Sequence, residues 1–187
     1  MLYDPSGGVK WGALVVADLL SARDEFRMVI LEIYRERGLG TRDVLVHLNR
    51  IAEVYHPQWF IPEWNALRAA EQSLDFDAWR ARYGIRMQKH FTSQSKSDVN
   101  FGIDSMGVDF ELGRIRLPYV DGESRAQSQL LINEATTYPS GDSDDVLMAA
   151  WLGKYNARFL RPPRVEATLV NGGWNLPELN MFQGVDW

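Results

Sequence analysis

Asp142, Asp144 and Asp145 crowd the entrance to an apolar run, in the stretch Tyr138-Pro139-Ser140-Gly141-Asp142-Ser143-Asp144-Asp145-Val146-Leu147-Met148-Ala149-Ala150-Trp151-Leu152. Val146, Leu147, Ala149, Ala150, Trp151, Leu152 and Tyr155 leave almost no polar face, which predicts a helix packed inside the domain. Its acidic end must then lie near the core. The helix dipole favours exposed carboxylates in a first turn by about 0.3–1 kcal/mol each. One role for these acids is therefore capping, with Asp142 or Ser143 as the N-cap. Two adjacent acids entering a buried helix exceed what a cap requires, since each must stay hydrated, find a partner or bind a cation. An EF-hand is excluded, because its loop glycine and terminal glutamate are missing.

Two further acids stand at places a sheet could bring to the same rim. Asp4 closes a short apolar run just before the turn signal Pro5-Ser6-Gly7-Gly8, and Glu63 closes Trp59-Phe60-Ile61-Pro62. Singly, Asp4 can be the first residue of a turn and Glu63 a surface acid. Together with Asp144 and Asp145 they offer only hard oxygen ligands, which suit Mg²⁺ or Mn²⁺ and not zinc. Two such ions about 4 Å apart can activate water and stabilise the leaving oxygen of a phosphodiester.

Charge distribution adds a second feature. The chain carries a net charge of −5, which argues against coating nucleic acid by charge alone. Yet from Trp79 to Lys96 it carries Arg80, Arg82, Arg86, Lys89, His90 and Lys96 with no acid between them. Such a strip can hold a phosphate backbone, or it can be a solvated face. The three histidines, His47, His56 and His90, lack metal-type spacing. There is no cysteine, so disulfides, thiolate catalysis and Cys-zinc sites are excluded. No GxxxxGK[ST] loop occurs, so no NTPase site is recognisable. No window approaches a membrane span and no secretory signal opens the chain, so a soluble intracellular protein is expected.

The elements that must position these groups follow from periodicity. At 187 residues the chain can hold one α/β domain with a full core. Met1–Asp4, Trp11–Leu20 and Phe26–Tyr34 read as strands in an antiparallel meander. Val44, Leu45, Leu48, Ile51, Ala52 and Tyr55 predict a helix capped by Thr41, followed by a short strand ending at Glu63. Strand, helix, strand is the crossover that makes a parallel pair. A helix over Asn65–Leu74 comes next, then Phe76–Tyr83 extending it or forming another. A strand over Ile85–Gln88 leads into a polar loop over Phe91–Val99. Phe101–Phe110 reads as a helix ended by Gly113, Ile115–Pro118 as a strand or edge, and Ala126–Tyr138 as a modest helix. The acidic helix then runs to near Phe159. After Arg161-Pro162-Pro163 the composition changes to a tail, with Trp174 and Trp187, that has no clear period. In an α/β sheet, strand ends and helix starts line one rim, where ligands bind.

At this point the chain resembles the C-terminal nuclease domain of the large terminase subunit of tailed bacteriophages, a ribonuclease H-like nuclease. The matching pieces are Tyr3 to Gly8 before Ala13-Leu14-Val15-Val16, and Pro62-Glu63-Trp64-Asn65. They continue with His90-Phe91-Thr92 and Lys96, Phe101-Gly102-Ile103, Gly113 to Pro118, and Tyr138-Pro139 through Asp144 to Ala149. The resemblance covers about residues 1–160 as one domain, leaving 161–187 as the tail. It implies a ribonuclease H-like mixed sheet, with an antiparallel three-strand meander plus parallel strands, flanked by helices. It implies a two-metal-ion endonuclease that cuts concatemeric double-stranded viral DNA during genome packaging, in the host cytoplasm. Two Mg²⁺ or Mn²⁺ ions would be held by Asp4, Glu63, Asp144 and Asp145, with Asp142 able to substitute in the last pair. Arg80, Arg82, Arg86, Lys89 and Lys96 would hold DNA. Partners in the full protein would be the packaging ATPase domain, the portal and the small subunit. That ATPase is absent here, so an excised domain or a separate nuclease subunit is expected, and a start three residues before Asp4 favours excision. A junction resolvase or integrase-type nuclease would use similar acids, with a preference for branched DNA. A non-catalytic docking module using the Trp174–Trp187 tail is the competitor of a different class.

Overall fold

The computed structural model describes residues 2–4, 11–22, 25–38, 41–64, 74–92, 102–160, 169–170 and 173–174. The expected meander is present: β1 (Leu2–Asp4) pairs antiparallel with β2 (Trp11–Ala22), and β2 with β3 (Glu25–Arg37). Helix α1 (Thr41–Tyr55) then carries the chain to β4 (Trp59–Pro62), which lies parallel to β1. Helix α2 (Leu74–Tyr83) leads to β5 (Arg86–Met87), parallel to β4. After α3 (Ser105–Glu111), β6 (Ile115–Arg116) pairs parallel with β3 on the far edge. The sheet order is β5-β4-β1-β2-β3-β6, so β1 and β2 occupy its centre. Helices α4 (Gly122–Thr137) and α5 (Asp145–Ala157) follow, then two short strands, β7 (Leu169–Val170) and β8 (Gly173–Trp174), which pair antiparallel.

Strand alternation divides the core in two. Ala13 and Val15 of β2 face α4 and α5, whereas Leu14 and Val16 face α1 and α2. On β3 the same side is reached by Met28 and Ile30 and again by Ile33, an odd step. A bulge opposite Val16/Ala17 supplies the extra residue that permits it. The first layer joins these strands to Leu131 of α4 and to every residue of α5 from Val146 to Leu152. The second packs Val44, Leu48, Ile51 and Ala52 of α1 with Phe60, Phe76 and Trp79. The result is a three-layer mixed α/β domain. Because α5 is covered on all sides, its uniform hydrophobicity is accounted for by burial.

Three local expectations need correcting. Helix α4 starts at Gly122 and not Ala126, because Asp121 and Ser124 form a capping box that reads in sequence as a turn. Helix α3 starts at Ser105 after a turn over 102–104, later than the apolar pattern from Phe101 implied. The third concerns the cap of α5, described below. The helix expected over Asn65–Leu74 and the loop over Phe91–Val99 fall largely outside the described residues.

Candidate metal-acid site and nucleic-acid interface

Strand register places the acids of β1 and β4 side by side. Leu2 pairs with Ile61 and Tyr3 with Pro62, so Asp4 and Glu63 are the next residues on two neighbouring parallel strands. Asp4 also pairs with Ala13, and Ala13 with Arg35. On the other side Glu63 bridges to His90 in the parallel sense. His90, Glu63, Asp4, Ala13 and Arg35 therefore form one row across the sheet, spaced about 4.8 Å per strand. Ala13 is buried on the side covered by α5. Glu63 lies two residues after Ile61, which is buried in the same layer, so alternation assigns Glu63 to that side.

Helix α5 spans this row. Its second half reaches His90: the His90 ring meets Trp151 and Tyr155 edge-on at 5.2 and 4.9 Å, and Asn156 Nδ2 lies 3.2 Å from His90 Nδ1. His90 is 5% exposed, so it belongs to the core and not to the basic strip. The acidic end of α5 lies at the other end, beside the Arg35 side chain.

What caps that end is Glu134 of α4. Glu134 Oε2 accepts hydrogen bonds from the backbone amides of Val146 at 2.7 Å and Leu147 at 2.9 Å. These are the donors an N-cap side chain would normally satisfy. Asp144 occupies the N-cap position but makes no side-chain cap hydrogen bond, and Asp142 is exposed. The expectation that Asp142 or Ser143 caps the helix is thus corrected: a remote carboxylate does so, and Asp144 and Asp145 are not used for it. Glu134 is 4% exposed, and its charge is matched by Arg35, whose Nη1 lies 2.7 Å from Oε1. Ser143 Oγ lies 3.0 Å from the same Oε1 and 2.7 Å from Asp145 Oδ2. The turn before α5 is tight, since a Cβ at Gly141 would collide with the Thr137 hydroxyl. An open groove of about 580 Å³ lies here, lined by Arg35, Asn133, Glu134, Ser140, Asp142 and Ser143 among others.

The structure thus brings Asp4 next to Glu63 in the backbone, and sets Asp144 and Asp145 toward the Arg35 side of Asp4. Among the described residues no three His, Asp or Glu side chains form a ready metal-binding group, and the Asp4 side chain lies outside that description. Glu134, Arg35 and the Ser143 hydroxyl were not anticipated as a unit. One signal was available: Glu134 falls on the apolar face of α4, three residues after Leu131 and four before Tyr138.

The basic residues lie at the β5 edge. Arg82 is exposed at the end of α2, and Arg80 is partly shielded, with an ion pair to Asp77 at 3.5 Å. Arg86 lies over the Trp59 ring at 5.5 Å, and Lys89 Nζ over the Trp64 ring at 3.7 Å. Lys89 immediately precedes His90, the bridge partner of Glu63, so this cation stands beside the acid row. Lys96 is outside the described residues.

No family model and no curated protein matches the sequence. Among solved structures, the chain is similar to RuvC of Thermus thermophilus, over 84% of this chain and 94% of that one. The identity is 11% and the TM-score 0.46, a likeness too slight to carry a function. Among the described residues no helix is long and apolar enough to cross a membrane.

Proposed function

We propose that this chain is a divalent-metal-dependent DNA endonuclease of the ribonuclease H-like kind. The observation that carries this is the register setting Asp4 beside Glu63 at the carboxyl ends of central parallel strands. Support comes from α5, whose Asp144 and Asp145 are relieved of capping by Glu134. The donor set suits Mg²⁺ or Mn²⁺, because all four groups are carboxylates. Asp4, Glu63 and one or both of Asp144 and Asp145 would hold two ions, which supply a nucleophile at neutral pH and stabilise charge on the phosphate.

The chain's own residues do the rest. Adjacent carboxylates on neighbouring strands repel one another when no cation offsets them, so the row is built to gain stability on binding one. Arg82, Arg86 and Lys89, with Arg80 and Lys96, hold the phosphate backbone at the β5 edge and orient it toward Glu63. The buried layer beneath α5 keeps the row rigid, which is what in-line displacement needs from its scaffold.

In finer terms, the proposed role is that of a terminase large-subunit nuclease domain. It would cut concatemeric double-stranded viral DNA in the host cytoplasm, working with a packaging ATPase, a portal and a small subunit. The test is nicking of supercoiled plasmid in Mn²⁺ by the wild type, Asp4→Asn and Glu63→Gln, with a four-way junction as a second substrate. Cutting by the wild type and not by the variants supports the reading. A strong preference for the junction would replace the packaging role with a resolvase one. Folded protein that cuts neither substrate in Mn²⁺ would overturn the nuclease assignment.

A further inference from the structure

Ser143 sits between two carboxylates that come from different helices. Its Oγ is 2.7 Å from Asp145 Oδ2 and 3.0 Å from Glu134 Oε1. A serine hydroxyl has one proton to donate, so both oxygens compete for it. Glu134 is already served: Arg35 Nη1 donates at 2.7 Å, and the amides of Val146 and Leu147 donate at 2.7 and 2.9 Å. Asp145 has the shorter distance and no cap bond of its own to make. The proton is therefore best placed toward Asp145 Oδ2.

We propose that Ser143 is a positioning residue, holding one oxygen of Asp145 so that the carboxylate presents its other oxygen to a divalent cation. This rests on the metal-nuclease reading, and it selects Asp145 over Asp144 as the member of the pair whose orientation is fixed. The anchor for the arrangement is Glu134. As the cap of α5 and the partner of Arg35 it is tied to three elements, α4, α5 and β3. The Ser143 hydroxyl is thus referenced to the sheet row that carries Asp4, because Arg35 pairs with Ala13 and Ala13 with Asp4. Groups that hydrogen-bond a ligating carboxylate typically alter metal affinity by about 10–100-fold when removed.

The experiment uses the full chain and Mn²⁺ alone as the probe. Affinity is read from free Mn²⁺ by electron paramagnetic resonance, and nicking is followed as Mn²⁺ is raised. Ser143→Ala should keep the apo melting temperature close to wild type, since Glu134 retains both amide bonds. It should weaken Mn²⁺ binding about tenfold or more, with cutting restored by excess Mn²⁺. Ser143→Thr should restore affinity. If the wild type binds Mn²⁺ and Ser143→Ala binds it equally well, the positioning role is overturned and the nuclease reading stands. If the wild type binds no Mn²⁺ and cuts nothing, both are overturned together.

Discussion

Asp4 stands beside Glu63 because Tyr3 pairs with Pro62 on the parallel strands β1 and β4. Neighbouring strands are about 4.8 Å apart, close enough for two carboxylates to share a cation and for their charges to conflict without one. Asp4→Asn and Glu63→Gln should therefore each abolish metal-dependent cutting and leave the circular-dichroism spectrum unchanged. Their apo melting temperatures should equal or exceed that of the wild type. A triple variant with Asp145→Asn that still cuts DNA in Mn²⁺ would show the acids to be misassigned.

The β5 edge provides a separate prediction. If Arg82, Arg86 and Lys89 contact phosphates, affinity for DNA falls steeply with salt, by about 0.9 in log–log slope per contact. The double variant Arg86→Ala with Lys89→Ala should lower that slope by about 2 without abolishing Mn²⁺ binding. Arg80, partly shielded and paired with Asp77, should contribute less than Arg82. An unchanged slope in the double variant would return this edge to solvent.

Helix α4 carries Glu134, and its own cap is pH-sensitive. The Asp121 carboxyl is held below the ordinary carboxylate range, first by the backbone amide of Ser124 and then by the Ser124 hydroxyl. A depressed value means that the stabilisation is fully present above the unfolded value, about 3.9, and is lost as pH falls through the folded one. Asp121→Asn still caps but does not titrate, so its melting temperature should fall less steeply with acid below about pH 4. Parallel acid melts of the two proteins check this.

Much of this fold was legible because its central elements announce themselves locally. The meander strands carry long apolar runs, and α1 shows apolar spacing from Val44 to Tyr55 that the structure keeps in the α1–α2 layer. The rim positions of Asp4 and Glu63 followed from strand order, although their adjacency is a matter of register. What was not legible depends on contacts between distant residues. The cap of α5 comes from Glu134, about three helical turns earlier in sequence distance, and no local rule assigns it. His90 looked like part of a cationic strip, yet Trp151, Tyr155 and Asn156 enclose it, an arrangement only tertiary packing creates. The start of α4 was missed because Asp121-Gly122 serves a turn and a capping box equally well.

A buried ion pair at the far side of α5 tests how that helix is held. Lys154 Nζ lies 2.6 Å from Asp109 Oδ2 and donates to Ser105 Oγ at 2.6 Å, joining α5 to α3. Both side chains are nearly buried, at 12% and 7% exposure. Removing one partner of such a pair leaves a buried charge and costs about 3–5 kcal/mol. Asp109→Ala should lose stability of that order, while the paired change Asp109→Leu with Lys154→Met should recover most of it. Urea melts of the single and double variants would separate a pair that matters from two independent losses.

The last prediction separates capping from metal binding at the head of α5, where a single stretch could have served either. Cap loss lowers stability by about 0.5–2 kcal/mol whether or not a cation is present. A metal ligand is neutral or unfavourable without the cation, and contributes RT ln(1 + [L]/Kd) once it binds. Glu134 makes the cap hydrogen bonds and pairs with Arg35, so Glu134→Ala should lower the apo melting temperature markedly. Asp142 is exposed and makes no cap bond, so Asp142→Ala should stay within about 0.5 kcal/mol of wild type with its Mn²⁺ response intact. Asp145→Ala should show the remaining pattern: apo stability nearly unchanged, and the Mn²⁺-dependent rise in melting temperature largely gone. Melts of the four proteins with and without Mn²⁺ distinguish these outcomes. An Asp145→Ala protein that melts lower without metal, yet keeps the full Mn²⁺ response, would make Asp145 a structural residue and move the ligand to Asp144.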